Sequence, residues 1–316
     1  MNSVFQKLKI QKTLLWSVKF LVFVFVLYHL VTRLLTISSN DLTSIAIAKP
    51  SYVVVAVFLV VVNWGLEWLK WSITVYRIGY AASKGKLFKS MIAGVSTGII
   101  TPNRIGNFIG RMLYFKPKQR ALLVLGTLYG NLSQFVATLL FGLLGLFFST
   151  NGLIQFDYSN VWVILTILVA TLSFLLYFLY PVLPIEGLSF FRRKTNLIQL
   201  FRSSAKKMVF SLLFLSSMRY LIFILQFTLL LIGFGAEYSH EMIYSLYILY
   251  LASTLTPNLI LGKLVVRETL ALIILGGLIL NPLVIIAASF TLWMINLGIP
   301  ALVGLFFFLK SKKLEG

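Results

Sequence analysis

Most of this chain consists of apolar segments long enough to cross a membrane, separated by short polar loops. About six of them reach the roughly 20 residues that a membrane-spanning helix needs: Leu14–Leu35, Ser51–Tyr76, Leu122–Phe148, Val161–Tyr180, Met208–Phe234 and Leu283–Leu309. Inside a bilayer every backbone N–H and C=O must be bonded within the protein, which favours helices over isolated strands. The sequence therefore predicts an all-α integral membrane protein with one polytopic domain over residues 1–316.

Two further apolar stretches are interrupted by the same tripeptide, Thr-Pro-Asn, at residues 101–103 and 256–258. In each, proline suits the first position of a new helix and the preceding threonine can cap that helix. A helix that starts inside a membrane must satisfy its free N–H groups on protein, water or ligand, so such breaks occur where the backbone lines a cavity. We therefore predict two broken or re-entrant helical hairpins. The first half-helix is expected at Met91–Ile100, and the second hairpin begins at Met242.

The order of these segments divides the chain into two similar halves, about 1–150 and 160–316. Each half has two spans, a broken hairpin and a further span, and the first hairpin is predicted to enter from the cytoplasm and the second from outside. This is the inverted-repeat plan of many transporters, whose substrate sites lie near the bilayer midplane. Residues 257–280 are longer than a half-span requires, so the sequence leaves open whether they cross the membrane fully.

The net charge of +20 follows the loops. Lysine and arginine cluster before the first span, at 77–89, 111–120 and 192–207, and at the end of the chain, whereas the loops between these clusters hold acids and a single cation, Lys49. This alternation predicts a multi-pass protein of the cytoplasmic (inner) cell membrane with both termini in the cytoplasm. Because the charge follows the loops, we do not expect nucleic acid as a partner.

Several ionisable residues fall within or near apolar segments, where a central charge costs from about 2.5 to more than 10 kcal/mol: Glu67, Lys70, Arg104, Arg219, Lys263, Arg267 and Glu268. One interpretation is structural: Glu67 forms an intramembrane ion pair with Lys70 or Arg219, and Glu268 pairs with a neighbouring cation. The other is functional. Arg104 is expected in the first turn of a half-helix, where the helix dipole favours an anion and arginine suits a phosphate.

Cations outnumber acids in this set, which favours an anionic ligand over cation binding by the carbonyl ends of the half-helices. The predicted substrate-binding residues are Thr101, Pro102, Asn103, Arg104, Gly106, Arg111, Thr256, Pro257, Asn258, Arg267 and Glu268. The chain has no cysteine, and it lacks the HExxH, Gly-Lys-Ser/Thr and Asp-rich motifs that mark catalytic or nucleotide sites. The sequence thus predicts no enzyme activity, cofactor or metal.

At these same residues, TPNRIGNFIGR and TPN...GKLVVRE, the chain resembles the flippase-like membrane domain family, the transmembrane region of lysylphosphatidylglycerol synthases. Pro102, Arg104 and Gly106 match that family's first motif, approximately Pro-Gly-Arg-x-Gly-Glu. Pro257, Arg267 and Glu268 match its second, approximately Pro-Gly-Gly-x-Gly-x-Arg-Glu. The departures are Asn103 and Asn107, which replace a glycine and a glutamate of the first motif, and a second glycine cluster reduced to Gly262.

The resemblance implies a lipid flippase or translocase that moves an anionic lipid between leaflets, such as an aminoacylated phospholipid or a polyprenyl-phosphate-linked sugar. The resemblance is to the stand-alone form of the family, which has no soluble synthase domain, so tRNA-dependent lipid modification is not implied. No ATP-binding motif is present, so transport is expected to be passive or coupled to a gradient. The alternatives are a lipid-binding or accessory membrane protein that transports nothing and a membrane-embedded lipid transferase. The oligomeric state, the headgroup and the direction of transport are left open.

Overall fold

A computed structural model of the chain describes residues 28, 32, 47–99, 101, 105–149, 161–179, 195–256 and 262–312. These residues contain helices and turns but no strand. The helices are α1 Pro50–Arg77, α2 Lys84–Ile99, α3 Gly106–Met112, α4 Pro117–Phe148, α5 Val161–Leu179, α6 Thr195–Lys206, α7 Val209–Gly233, α8 His240–Leu255, α9 Gly262–Leu275, α10 Pro282–Trp293 and α11 Ile299–Lys312. A π-helical turn, Met294–Gly298, joins α10 to α11.

Four of the described helical segments are long and apolar enough to cross a membrane: Pro50–Arg77, Pro117–Phe148, Val209–Gly233 and Pro282–Phe307. A fifth apolar helix, Val163–Leu179, is shorter. The prediction of an all-α multi-pass membrane protein is therefore confirmed. The predicted first span, Leu14–Leu35, lies outside the described residues apart from positions 28 and 32, which are helical.

The first predicted hairpin consists of α2 and α3, which pack against each other. The chain leaves this hairpin beside the point where it entered, because the Lys86 ammonium lies 5.0 Å from the centroid of the Phe115 ring. Two glycines of α3 allow the close approach. A Cβ atom on Gly106 would lie 2.0 Å from the carbonyl oxygen of Thr97, and one on Gly110 would lie 2.4 Å from the carbonyl oxygen of Ala93.

Two details of this hairpin differ from the sequence prediction. The first helix begins at Lys84, not at Met91, and its 16 residues reach about 24 Å at 1.5 Å per residue. Its added turns carry lysines, which keep their charged ends at the membrane surface while the helix continues inward. The described second helix begins at Gly106, later than the predicted start at Pro102, which itself lies outside the described residues. The N-cap residue is Ile105 and not Thr101 as predicted, but the Thr101 hydroxyl accepts the N–H of Gly106 at 2.7 Å.

The second hairpin consists of α8 and α9 and opens towards the opposite end of the bundle. The start of α8 lies beside the end of α4, where the Ser149 hydroxyl donates to the Glu241 carboxylate. The end of the α10–α11 span lies beside the start of α2, where the Lys89 ammonium is 5.9 Å from the Phe307 ring centroid. Since this span ends on the side of the bundle where α2 begins, it must start on the opposite side, which is the side where α8 begins. Since α9 leads directly into α10, α9 returns to the side from which α8 entered and does not cross fully.

Packing between the two halves is reciprocal. Helix α4 of the first half packs along α8 of the second hairpin, α11 of the second half packs along α2 of the first hairpin, and α1 packs along α7. Helices α1 and α7 also end in the same way, with left-handed glycines at Gly79 (φ +94°) and Gly235 (φ +108°). After each glycine, the next N–H bonds to a carbonyl five residues earlier, as in a Schellman motif. This is the arrangement that inverted repeats would produce, while the boundaries of the halves stay a prediction.

Candidate functional site

Polar side chains from three helices meet inside the bundle: Asn63, Glu67 and Lys70 from α1, Arg111 from α3, and Ser216 and Arg219 from α7. We call these six residues the central cluster. The α1 members are four and three residues apart and the α7 members three apart, which places each set on one helix face. The close packing of α1 on α7 brings the two faces together, and the first hairpin adds Arg111.

Glu67 is held by two arginines, one on each carboxylate oxygen. Arg111 Nη2 donates to Oε1, and Arg219 Nη1 donates to Oε2 at 2.5 Å. The side chains of Arg111, Glu67 and Arg219 are 6%, 13% and 25% exposed. Arg111 is further fixed by Asn107, which accepts from its Nε at 2.9 Å, and by the Trp71 ring, whose centroid is 4.9 Å from the guanidinium carbon.

Lys70 does not form the direct bond to Glu67 that the sequence suggested. Its Nζ donates to the hydroxyl of Ser216 at 2.8 Å, and Ser216 is in turn 2.7 Å from the hydroxyl of Ser133 on α4. Lys70 is 6% exposed and both serines are fully buried. An ammonium group is thus enclosed in the protein with a neutral hydroxyl as its hydrogen-bond partner.

The charges of the central cluster do not balance. Lys70, Arg111 and Arg219 are cations, and Glu67 is the acid that faces them among the residues whose positions are described. Largely buried charges are costly unless they are compensated. The surplus positive charge at this place is therefore the feature of the described structure that most needs an explanation by function.

A small cavity adjoins the central cluster, lined by Glu67, Lys70, Trp71, Arg111, Gly130 and Asn131 among others. Its volume is about 10 Å³, which is close to the minimum that holds one water molecule. A phosphate group is larger than that. The elements around the cluster must therefore separate before such a group can reach the cations.

The central cluster is connected to the π-helical turn of the last span. Asn63 Oδ1 accepts from Arg219 Nε at 3.1 Å, and Asn63 Nδ2 donates to Asn296 Oδ1 at 2.7 Å. Asn296 also donates to Gln226 Oε1 at 3.3 Å. All three amide side chains are buried. Single-turn π-bulges occur frequently at functional sites, and this one delivers a buried amide to the network that orients Arg219.

The second hairpin carries its own ion pair, between Arg267 and Glu268 of α9. Arg267 Nη2 donates to Glu268 Oε1 at 2.6 Å and to the Ser289 carbonyl oxygen at 3.0 Å. The Ser289 hydroxyl donates to the same Glu268 oxygen at 3.0 Å. Both charged residues are 7% exposed. This second pair is electrically neutral, unlike the central cluster.

The predicted site residues other than Arg267 and Glu268 are found in three situations. Thr101, Gly106 and Arg111 belong to the first hairpin, but only Arg111 reaches the central cluster. Thr256 ends α8, where its hydroxyl donates to the Ala252 carbonyl oxygen at 2.7 Å. Pro102, Asn103, Arg104, Pro257 and Asn258 lie outside the described residues, as does the side chain of Lys263. No group of three or more histidine, cysteine or acidic side chains that could hold a metal occurs in the described parts of the chain.

Sequence reasoning did not single out Asn63, Ser216 or Asn296. The available signal was that each is a polar residue within an otherwise apolar span. Asn63 is also four residues from Glu67, and Ser216 is three residues from Arg219. Such residues mark contacts between helices as often as they mark a site, so the pattern does not separate the two without the packing of α1 on α7.

The whole-chain pattern matches one known family. Residues 13–304 match the profile of the family described as the lysylphosphatidylglycerol synthase TM region. Neither the curated proteins nor the solved structures include a match to this chain. The matched residues include both hairpins, the central cluster and the Arg267–Glu268 pair. The chain therefore belongs to the lysylphosphatidylglycerol synthase transmembrane-region family.

Proposed function

We propose that this protein is a lipid translocase, or flippase, that moves an anionic phospholipid or lipid-linked precursor between leaflets and binds its phosphate at the central cluster. The family places the chain among membrane proteins that handle lipids. The proposal goes further because of one observation: three cations face one carboxylate in a largely buried site inside the bundle.

An anionic headgroup is the ligand that this surplus charge fits. Arginine binds phosphate oxygens through two parallel N–H groups, and lysine adds a point charge. Arg219 is the most exposed of the cluster's guanidinium groups, at 25%, so it is the first cation that an entering phosphate would meet. Glu67 already occupies one end of Arg111 and of Arg219, which leaves other N–H groups of both arginines for a ligand.

Access to the site requires movement of the first hairpin. The cavity beside Lys70 is about 10 Å³, so the described conformation is closed to a phosphate. Helix α3 is the mobile element that we propose, because it has only seven residues and contacts α2 through glycines. Arg104, which follows α2 and precedes α3 in the sequence, lies outside the described residues and remains a predicted contact with the headgroup. Movement of a lipid between leaflets makes and breaks no covalent bond, so we propose a transporter and not an enzyme.

Reconstitution tests transport directly. The purified protein is placed in liposomes that contain a trace of phosphatidylglycerol with a fluorescent headgroup-side label, and dithionite added outside bleaches the label as it reaches the outer leaflet. Lys70→Gln should slow bleaching of the inner-leaflet pool about tenfold or more, which corresponds to a barrier raised by about 1.4 kcal/mol. Lys118→Gln, which removes an exposed lysine at the start of α4, should not.

Three results are informative. Bleaching of only the outer leaflet by the wild-type protein would contradict transport. If lipid still co-purifies in that case, the accessory lipid-binding interpretation takes its place. Equal rates for Lys70→Gln and Lys118→Gln would show that transport does not use the central cluster.

A further inference from the structure

Two largely buried carboxylates in this protein are bonded in different ways. Both oxygens of Glu67 accept from arginines, one from Arg111 and one from Arg219. On Glu268, Oε1 accepts from Arg267 and from Ser289, whereas Oε2 is buried with no hydrogen-bond partner. Buried polar atoms are nearly always satisfied, so an exception points to an unseen ligand or to a functional role.

The other member of the pair is also incompletely bonded. Arg267 Nε is buried and has no partner, although its Nη2 makes two bonds. Arg267 and Glu268, which bond to each other, therefore each have one buried polar atom without a hydrogen-bond partner. The central cluster differs, because every charged member there is bonded and positive charge remains in excess.

The groups that face Glu268 can be enumerated from the elements packed against α9. On α9 itself the charged neighbour is Arg267. From α8, Tyr250 interacts electrostatically with both Arg267 and Glu268, and its hydroxyl is buried without a hydrogen-bond partner. From α10, Ser289 contributes a hydroxyl and a carbonyl oxygen. No second carboxylate is present among these described neighbours, so a metal cation would have a poor set of ligands while a proton needs only Oε2.

We propose that Glu268 is a proton-binding residue whose protonation releases Arg267 to bind the phosphate of the transported lipid. In this step a hydronium ion from the aqueous phase gives its proton to Oε2 and leaves a water molecule. The carboxylate becomes a neutral acid, and Arg267 keeps its charge. Arg267 then lacks a counter-charge in a low-dielectric site, which makes an anion favourable there. This inference rests on the proposed function, to which it adds a coupling ion.

The position of the pair supports coupling to the central cluster. Arg267 and Glu268 bond to Ser289 on the last span, and Asn296 of the same span bonds to Asn63 of the cluster. Seven residues separate Ser289 from Asn296, about 10 Å along a helix. A phosphate passing between the hairpins would therefore meet the surplus positive charge of the cluster and, when Glu268 is protonated, Arg267 as well. Carboxylates inside membrane segments mark proton relays in pumps and transporters.

Infrared difference spectroscopy tests proton binding without reference to transport. Protein in phosphatidylcholine vesicles is compared between about pH 5 and about pH 9, a range in which buried glutamates titrate. The wild type should show a carboxylic acid C=O band that is absent from Glu268→Gln and present in Glu67→Gln and Glu237→Gln. Ser289→Ala, which removes a donor to Oε1, should shift the band. The assignment is tractable because the chain has eight acids.

Transport supplies the second measurement. If Glu268 carries the proton, the wild-type rate rises as the pH is lowered, and Glu268→Gln transports at a rate that no longer depends on pH. A band that persists in Glu268→Gln, or one that responds to sodium ions and not to pH, would overturn the proton site. If the band is lost in Glu268→Gln but the wild-type protein moves no lipid, the proton site is supported and the proposed function is refuted.

Discussion

Removal of the Glu67 carboxylate is the perturbation with the largest expected effect on the central cluster. Glu67→Gln keeps the shape of the side chain but removes the negative charge opposite Arg111 and Arg219. Breaking a buried ion pair by removing one partner costs about 3–5 kcal/mol, because an uncompensated charge is left behind. The pair with Arg111, whose side chains are 6% and 13% exposed, should carry most of this figure. The pair with Arg219 contributes less because that arginine is a quarter exposed.

The free energy of unfolding can be measured by titrating mixed micelles with a denaturing detergent. Glu67→Gln should lose about 3–5 kcal/mol, whereas the exposed Glu237→Gln should stay within about 0.5 kcal/mol of the wild type. The double variant Glu67→Gln/Arg219→Gln should lose less than the sum of its single variants, since one stranded charge is removed with its partner. A loss below about 1 kcal/mol for Glu67→Gln would refute the assignment of Glu67 as the counter-charge of the cluster.

The same variant links stability to ligand binding. Without Glu67 the cluster has three cations and no acid among the described residues, so an added anion should compensate for the missing carboxylate. Phosphatidylglycerol in the micelles should therefore stabilise Glu67→Gln more than the wild type, while phosphatidylcholine should not discriminate. Equal stabilisation of both proteins by phosphatidylglycerol would indicate that the lipid binds elsewhere.

Three further predictions concern the first hairpin. Gly110→Ala should destabilise the protein by about 1–3 kcal/mol through overpacking against a backbone carbonyl. Gly65→Ala is the control, because its Cβ would meet nothing within 4 Å, and it should be neutral or stabilising. A lower free energy of unfolding for Gly65→Ala would contradict this. Arg104→Ala should abolish lipid scrambling with normal expression, and normal scrambling would remove Arg104 from the site. Because the chain lacks cysteine, the variants Ser83→Cys and Lys116→Cys can each be labelled by an impermeant maleimide. Both should react from the same side of the membrane. Labelling from opposite sides would exclude a re-entrant hairpin.

The four described spans and the position of the two hairpins were predictable from the sequence because the physical signals are local. An apolar segment of span length predicts a helix, and a Thr-Pro-Asn tripeptide in apolar sequence predicts an interruption. Thr101 accepts the first N–H of the helix that follows it, that of Gly106, although Ile105 and not Thr101 is the N-cap residue. The extension of α2 to Lys84 was missed because lysines read as loop residues, whereas long cationic side chains also suit the first turns of a helix at the membrane surface.

The composition of the central cluster was only partly predictable. The sequence indicates that Glu67 and Arg219 are intramembrane charges in need of partners, and the structure pairs them. The pairing of Glu67 with Arg111, 44 residues further along the chain, depends on how the first hairpin packs against α1, and no local pattern encodes that packing. The bond from Lys70 to Ser216 could not be predicted for the same reason, because it depends on the packing of α1 against α7.

Native mass spectrometry of the protein released from nanodiscs of mixed phosphatidylglycerol and phosphatidylcholine tests whether the surplus cations hold a lipid phosphate. The wild type and Lys118→Gln are expected to retain phosphatidylglycerol selectively, and Lys70→Gln is expected to lose that selectivity. Retention of the same lipids by all three proteins, or a preference for phosphatidylcholine in the wild type, would contradict binding of an anionic headgroup at the central cluster.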